Sequence, residues 1–184
     1  MKRPQIDSRS ERTRAALLSA FAELVFRDGF ENISAQGVAA AAGVARSTFY
    51  EHFASKEDLL RASMARFFGV IADCISSADQ PEPLGSVLAH MWENRRLTDA
   101  IFSGAPRKII SQSLSEMVEA RLKQFHARAP LTVPYRLAAI HIAEAQLALV
   151  ENWLRGRAFA SVEDMAAALH RSSRASALAL IAAA

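Results

Sequence analysis

Residues 34–60 read SAQGVAAAAGVARSTFYEHFASKEDLL, and the order of polar, small and aromatic positions in this stretch decides the fold. Ser34 is placed to cap a short helix whose Val38 and Ala39 face inward, and Gly43 supplies the left-handed residue that ends it. Val44 fills the corner that follows. Residues 45–52 predict a second short helix, which Phe49 and Phe53, four apart on one face, bury against the first. Ala39 must be small because helices joined by such a turn cross closely. With both phenylalanines inside, Arg46, Ser47, Thr48, Tyr50 and His52 are driven to other faces, several of them outward. Side chains of these types contact bases and phosphates. The stretch therefore spells a helix-turn-helix, and Ser55-Lys56-Glu57-Asp58 is a capping box that opens a third helix directly behind it.

An A-x-x-x-G-V turn from Ala39, then TFY-x-HF from Thr48, then SKE-x-LL from Ser55, all at matching spacing, resemble the TetR family of transcriptional regulators. The likeness covers about residues 9–61, and the remainder is similar only in being helical and of suitable length. The resemblance implies an all-α fold, with an N-terminal three-helix DNA-binding head over residues 1–54 and a larger helical region for ligand binding and dimerisation over 55–184. It also implies that Thr48, Tyr50 and Lys56 hold phosphates, that Arg46 and Ser47 reach base edges, and that Gln36 adds a further base or phosphate contact. In this scheme a ligand displaces the helix that starts near Lys56, spreads the two heads of a dimer and releases a palindromic operator. The physical requirement is that the ligand binds one head spacing better than the other.

Charge is a weaker guide. Through Arg61 there are nine Lys and Arg against eight Asp and Glu, but Lys2, Arg3, Arg9, Arg12 and Arg14 outnumber Asp7 and Glu11 and can track phosphates beside the reader helix. Glu51 is expected on the solvent-facing flank, the alternative being acceptance from a cytosine amino group. A chain of 184 residues with 51% apolar side chains, 7 Gly and 6 Pro can bury a good core of packed helices. Residues 1–5 lack the apolar run of a signal peptide and no segment is long and apolar enough to span a membrane, so a cytoplasmic protein is expected. The single cysteine, Cys74, excludes an internal disulfide and reads as a small buried hydrophobe.

Helical periodicity continues along the chain. Ser8 to Glu11 forms a capping box before the stripe Leu17, Leu18, Phe21, Leu24 and Val25, which Gly29 stops. A long helix from near Lys56 carries Leu60, Met64, Phe67 and Ile71, and further helices are expected at about 84–94, 98–102, 106–126, 133–155 and 161–180. The helix after Val133 is apolar on more than one face, and the last one is rich in alanine. Two burials are implied, one of them against a second copy, with Leu147, Trp153, Leu154, Ala177 and Leu178 as the expected interface of a homodimer; the alternative is a thick core within one chain.

A pocket for a small, largely apolar effector is expected among Phe67, Met91, Trp92, Phe102, Met117, Phe125, His141 and Gln146, a mixture of apolar walls and polar handles. The five histidines carry no metal or catalytic signature. A metal sensor built on His141, Glu144 and His126 is a minor alternative. No cofactor, catalytic residue or resident metal is expected. The expected function is a ligand-responsive regulator that binds double-stranded operator DNA. The rivals are a ligand-independent or partner-regulated DNA-binding protein and an enzyme bearing a DNA-binding head.

Overall fold

A computed structural model describes residues 8–125 and 130–182. Its helices are α1 (Ser8–Asp28), α2 (Ala35–Ala41), α3 (Arg46–His52), α4 (Lys56–Asp73), α5 (Leu84–Glu93), α6 (Thr98–Ile101), α7 (Gly104–Phe125), α8 (Tyr135–Leu154) and α9 (Val162–Ala179). The described residues hold no strand, only an isolated bridge between Leu131 and Ile181, so the fold is all-α. No helix among them is long and apolar enough to cross a membrane.

The chain divides into two compact units, Met1–Ser63 and Met64–Ala184. The division falls inside α4, rather than before it as the resemblance implies, for a reason visible in the contacts. The first turns of α4 bury Leu59 and Leu60, and the Lys56 ammonium donates to the carbonyls of Phe30 and Ile33 at 3.0 and 3.2 Å, so this part of α4 belongs to the head.

In the head, α2 packs on both α1 and α3. The α1 stripe is buried through Leu17, Phe21, Leu24 and Val25, and the Phe21 ring meets Phe30 edge to face. Caps start two helices as expected. Ser34 Oγ accepts from the Gly37 amide at 3.1 Å, and Ser55 Oγ accepts from the Asp58 amide at 3.2 Å. The Asp58 carboxylate reaches back to the Ala54 amide, one residue before the cap. The Ser8 side chain lies outside the described residues.

In the second unit α7 and α8 form the most extensive helix pair, and α9 packs on α5 and α8. Ser161 caps α9 through the Asp164 amide, and Gly156, at φ 67°, ends the turn after α8. The core is built from Phe68, Ile71, Ile75, Leu84, Leu88, Ile110, Leu114 and Leu122, with one whole face of α8 inside it. That last point corrects the expected dimer surface. Leu147 and Ala177 are fully buried within this one chain, and Trp153 and Leu154 are only 4% and 5% exposed, so they have no surface left to give to a second copy. Of that set Leu178 alone is exposed. Periodicity showed that α8 is apolar on two faces but not which face its own neighbours fill.

Candidate nucleic-acid interface

The turn between α2 and α3 is held by backbone chemistry. The Gly43 amide donates to Ala40 O at 3.1 Å and the Val44 amide to Ala39 O at 3.0 Å, with Gly43 left-handed at φ 68°. This is the paired closure that satisfies the last carbonyls of a helix and reverses the chain. Ala39 is buried at the crossing. Phe49, with no exposed surface, and Phe53 lie 6.0 Å apart between ring centroids and seat α3 on the head.

With that face inside, Arg46, Ser47, Tyr50 and Glu51 stand exposed, while Thr48 and His52 are half-buried. The Arg46 guanidinium lies 5.7 Å from the Tyr50 ring centroid, one helical turn away, which holds the long side chain along the exposed face. Gln36 is exposed on α2. A cleft of about 520 Å³ runs beside α3, lined by Arg9, Ser10 and Thr13 of α1, residues 43–45 of the turn, and Thr48, Glu51 and His52. Its walls are polar, with three hydroxyls, a guanidinium, an imidazole and a carboxylate. Ser10 and Thr13 were not among the expected contacts, and Glu51 was expected on the solvent-facing flank, with acceptance from a cytosine amino group as the alternative. The four-residue spacings of Arg9 to Thr13 and Thr48 to His52 were legible, but not that the two helix edges face one cleft.

Lys56 is placed differently from the expectation. Its ammonium donates to the carbonyls of Phe30, Ile33 and Glu31 at 3.0, 3.2 and 3.4 Å and lies 4.6 Å from the Phe30 ring centroid. The three donors of the group are directed at the turn Phe30–Asn32 and its exit, so Lys56 clasps the head together, where the resemblance implied a phosphate contact. Arg14 is likewise drawn to packing, 4.9 Å over the Phe53 ring.

The expected effector residues do not gather on one wall. Phe67 is half-buried and stacks on the exposed His90 at 5.5 Å, with Phe68 taking the core position on α4. Trp92 stacks on Trp153 at 4.8 Å, and the Trp153 indole N–H donates to Ala160 O. Met91 and Phe102 are core residues, and Met117 is half-buried. His141 is exposed on the outer face of α8, which removes it from any interior pocket. The side chain of Phe125 and all of His126 lie outside the described residues. Gln146 is 2% exposed, and its Nε2 donates to Ile71 O and to Ser173 Oγ, both at 3.0 Å. Its Oε1 finds no donor among the described residues.

The end of α4 is anchored from three helices. Besides Gln146 on Ile71, Arg121 of α7 holds the Asp73 carboxylate at 2.7 Å, and from α9 Arg174 donates to Ser77 O at 2.8 Å with His170 Nε2 3.2 Å from the same oxygen. Cations and donors at a helix C-terminus complement its dipole and its free carbonyls. Cys74, in this turn, is buried, and burial pushes its thiol up to about 12, so it stays a protonated, unreactive hydrophobe. Glu144 is engaged by Arg107 at 2.7 Å and by the Ser111 hydroxyl, and the Arg107 hydrogen bond holds its carboxyl below the ordinary range. The described residues contain no group of three side chains able to hold a metal.

Comparison with known proteins agrees with this geometry. Residues 17–63 match the family described as bacterial regulatory proteins, tetR family. A relative in Bacillus subtilis, an uncharacterized HTH-type transcriptional regulator named YxbF, is 36% identical over 81 residues, 44% of this chain. The match spans about a fifth of that relative's length, 21%. Among solved structures, NalD of Pseudomonas aeruginosa, described as the secondary repressor of the MexAB-OprM multidrug efflux pump, is 24% identical with a TM-score of 0.54, over 91% of this chain and 97% of that one. A TetR transcriptional regulator of Streptococcus agalactiae is 23% identical with a TM-score of 0.56, over 91% of this chain and 96% of the other. These two likenesses concern the fold. The capped α2, the Gly43 turn and the phenylalanine-seated α3 all lie within residues 17–63, the stretch that is similar to the tetR family of bacterial regulatory proteins.

Proposed function

We propose that the chain is a cytoplasmic transcriptional regulator that binds double-stranded DNA as a homodimer and, as a repressor, releases a palindromic operator when a small, largely apolar effector binds. The observation that carries this reading is the exposed row Arg46, Ser47 and Tyr50 on a helix seated by buried Phe49 and Phe53, with a polar cleft along its flank. Arginine and hydroxyl side chains on such a helix read base edges and phosphates. A recognition helix of seven residues spans few base pairs, so two copies on half-sites roughly 34–36 Å apart are needed for useful affinity and specificity.

The face of α8 left outside the core supports the second copy. Leu137, Ile140 and Leu149 are 56%, 39% and 38% exposed on α8, and Leu178 is 43% exposed on α9. Small residues between them, Ala145, Ala148 and Ala175, allow close helix approach. For the effector, the Gln146 oxygen is the polar handle. A buried acceptor without a donor costs about 1–3 kcal/mol, which a hydroxyl, amide or ammonium on an otherwise apolar ligand would recover. Repression rests on the family and on the description of NalD as a repressor.

The test is to select bound duplexes from a random pool, measure the mass of the complex by sedimentation, and screen compounds that dissociate it. Enrichment of a palindrome by a dimer supports the reading. Ile140→Arg is expected to yield a monomer that keeps the helical content of the parent and loses the palindrome. A parent protein that enriches no sequence, or that binds a palindrome as a monomer, overturns it.

A further inference from the structure

We infer that Glu51 is a base-reading residue that selects a cytosine in each half-site, an inference that rests on the DNA-binding reading above. Glu51 is exposed on α3, one helical turn beyond Ser47, and lines the cleft shared with Thr48, His52, Arg9, Ser10 and Thr13. Its carboxylate makes no hydrogen bond or ion pair among the described residues, in contrast to Glu144 and Glu151, which are both tied to arginines.

An unengaged anion on the face of a recognition helix is unfavourable beside DNA unless it meets a donor. Phosphates and sugars of a B-form duplex offer an anionic acceptor surface, so the backbone cannot supply one. The major groove can, through the exocyclic amines of cytosine and adenine alone. Adenine presents its N7 acceptor next to its amine, which repels a carboxylate that has no proton to donate, whereas cytosine N4 stands beside a C–H edge. The hydroxyls and the guanidinium around the cleft are the groups suited to the backbone, which leaves the carboxylate to the bases.

The chemistry also dictates how the preference changes. A glutamine amide pairs bidentately with adenine N6 and N7, so Glu51→Gln is expected to move the preference at one base pair per half-site from cytosine to adenine. Glu51→Ala is expected to lose roughly ten-fold discrimination at that pair and leave the others intact.

Parent, E51Q and E51A are each put through selection from random duplexes, followed by titration on the winning sequences at two salt concentrations. A cytosine at one symmetric position for the parent, replaced by adenine for E51Q and by no preference for E51A, is the expected result. Identical consensus sequences for all three proteins would overturn the inference while leaving the DNA-binding reading in place. So would a uniform gain in affinity on every duplex with a steeper salt dependence, which would mark Glu51 as electrostatic repulsion only. A parent that enriches nothing would remove the DNA-binding reading itself and this inference with it.

Discussion

The head and the second unit place their charged groups by opposite rules. In the head the exposed face of α3 carries Arg46 and Glu51, while Lys56 is turned inward onto the carbonyls around the Phe30–Asn32 turn. In the second unit the charges are gathered into the seam between α7 and α8, where Arg107 joins Glu144 at 2.7 Å and Glu151 at 3.1 Å, and Arg155 joins Glu151 and the Phe102 carbonyl. A surface meant for a polyanion must keep donors available, whereas a helix bundle gains by pairing its charges within itself. The difference teaches that a charged residue close in sequence to a reader helix is not thereby a DNA contact. What its donors already hold decides.

The largest effect that sharpens this contrast lies on the two faces of α8. Leu147→Ala is expected to cost about 2–5 kcal/mol, because it opens a cavity in a fully buried site, and Ile140→Ala on the outer face about 0.5 kcal/mol or less once both proteins are diluted to monomers, so that association does not contribute. Urea unfolding of both variants measures this. Equal costs would mean that the inner and outer faces have been assigned wrongly.

Lys56 gives the next largest effect and breaks the comparison directly if it fails. Lys56→Ala removes three charge-assisted contacts and the ring contact, and an expected loss of about 1–3 kcal/mol should appear in thermal melts. The slope of log affinity against log salt should stay unchanged. A fall in that slope by about one, with stability intact, would return Lys56 to the phosphate backbone.

Gly43 isolates backbone conformation. A Cβ there meets nothing within 4 Å, so Gly43→Ala is expected to cost only the left-handed strain at φ 68°, about 1–2 kcal/mol. Gly43→Asn should recover part of it, since asparagine visits that region readily. A stability scan in which alanine equals glycine would show that the turn relaxes.

The smallest effect concerns pH in the second unit. The Arg107 hydrogen bond holds the Glu144 carboxyl below its ordinary 4.5, against a desolvation that opposes it, with Ser111 adding in the same direction. A folded value below the unfolded one means that this stabilisation is complete above 4.5 and is lost as pH falls through the lowered value. Glu144→Gln is therefore expected to flatten the acid limb of stability by less than about 1 kcal/mol, since the pair is half-exposed. Denaturation measured from neutral pH to about pH 3 reads the change. A steeper acid limb in the variant would contradict the direction.

How much was legible differs by region for a physical reason. Ser34, Gly43, Phe49 and Phe53 act within one or two helical turns, through caps, a left-handed residue and a shared helix face, so spacing alone reveals them. The eight residues expected around an effector depend on which helices meet over long separations, and there the reading scattered. Trp92 turned out to stack on Trp153, and His141 to lie outside, while Gln146 was brought to Ile71 across 75 positions. No local signal distinguishes a tryptophan on a pocket wall from one in a stack.

The amino-acid order by itself determined the helical class, the caps, the Gly43 turn and the inward phenylalanines of the reader, because these follow from backbone conformation and helical period. The tertiary structure alone decided which of the two apolar faces of α8 fills the core, that Lys56 faces the Phe30 turn, that Glu51 lines a polar cleft with Arg9, and that Gln146 is buried with an oxygen left over. These are questions of which partner occupies a given side of a helix, and periodicity is blind to them: it marks a face as apolar or polar without saying what lies against it.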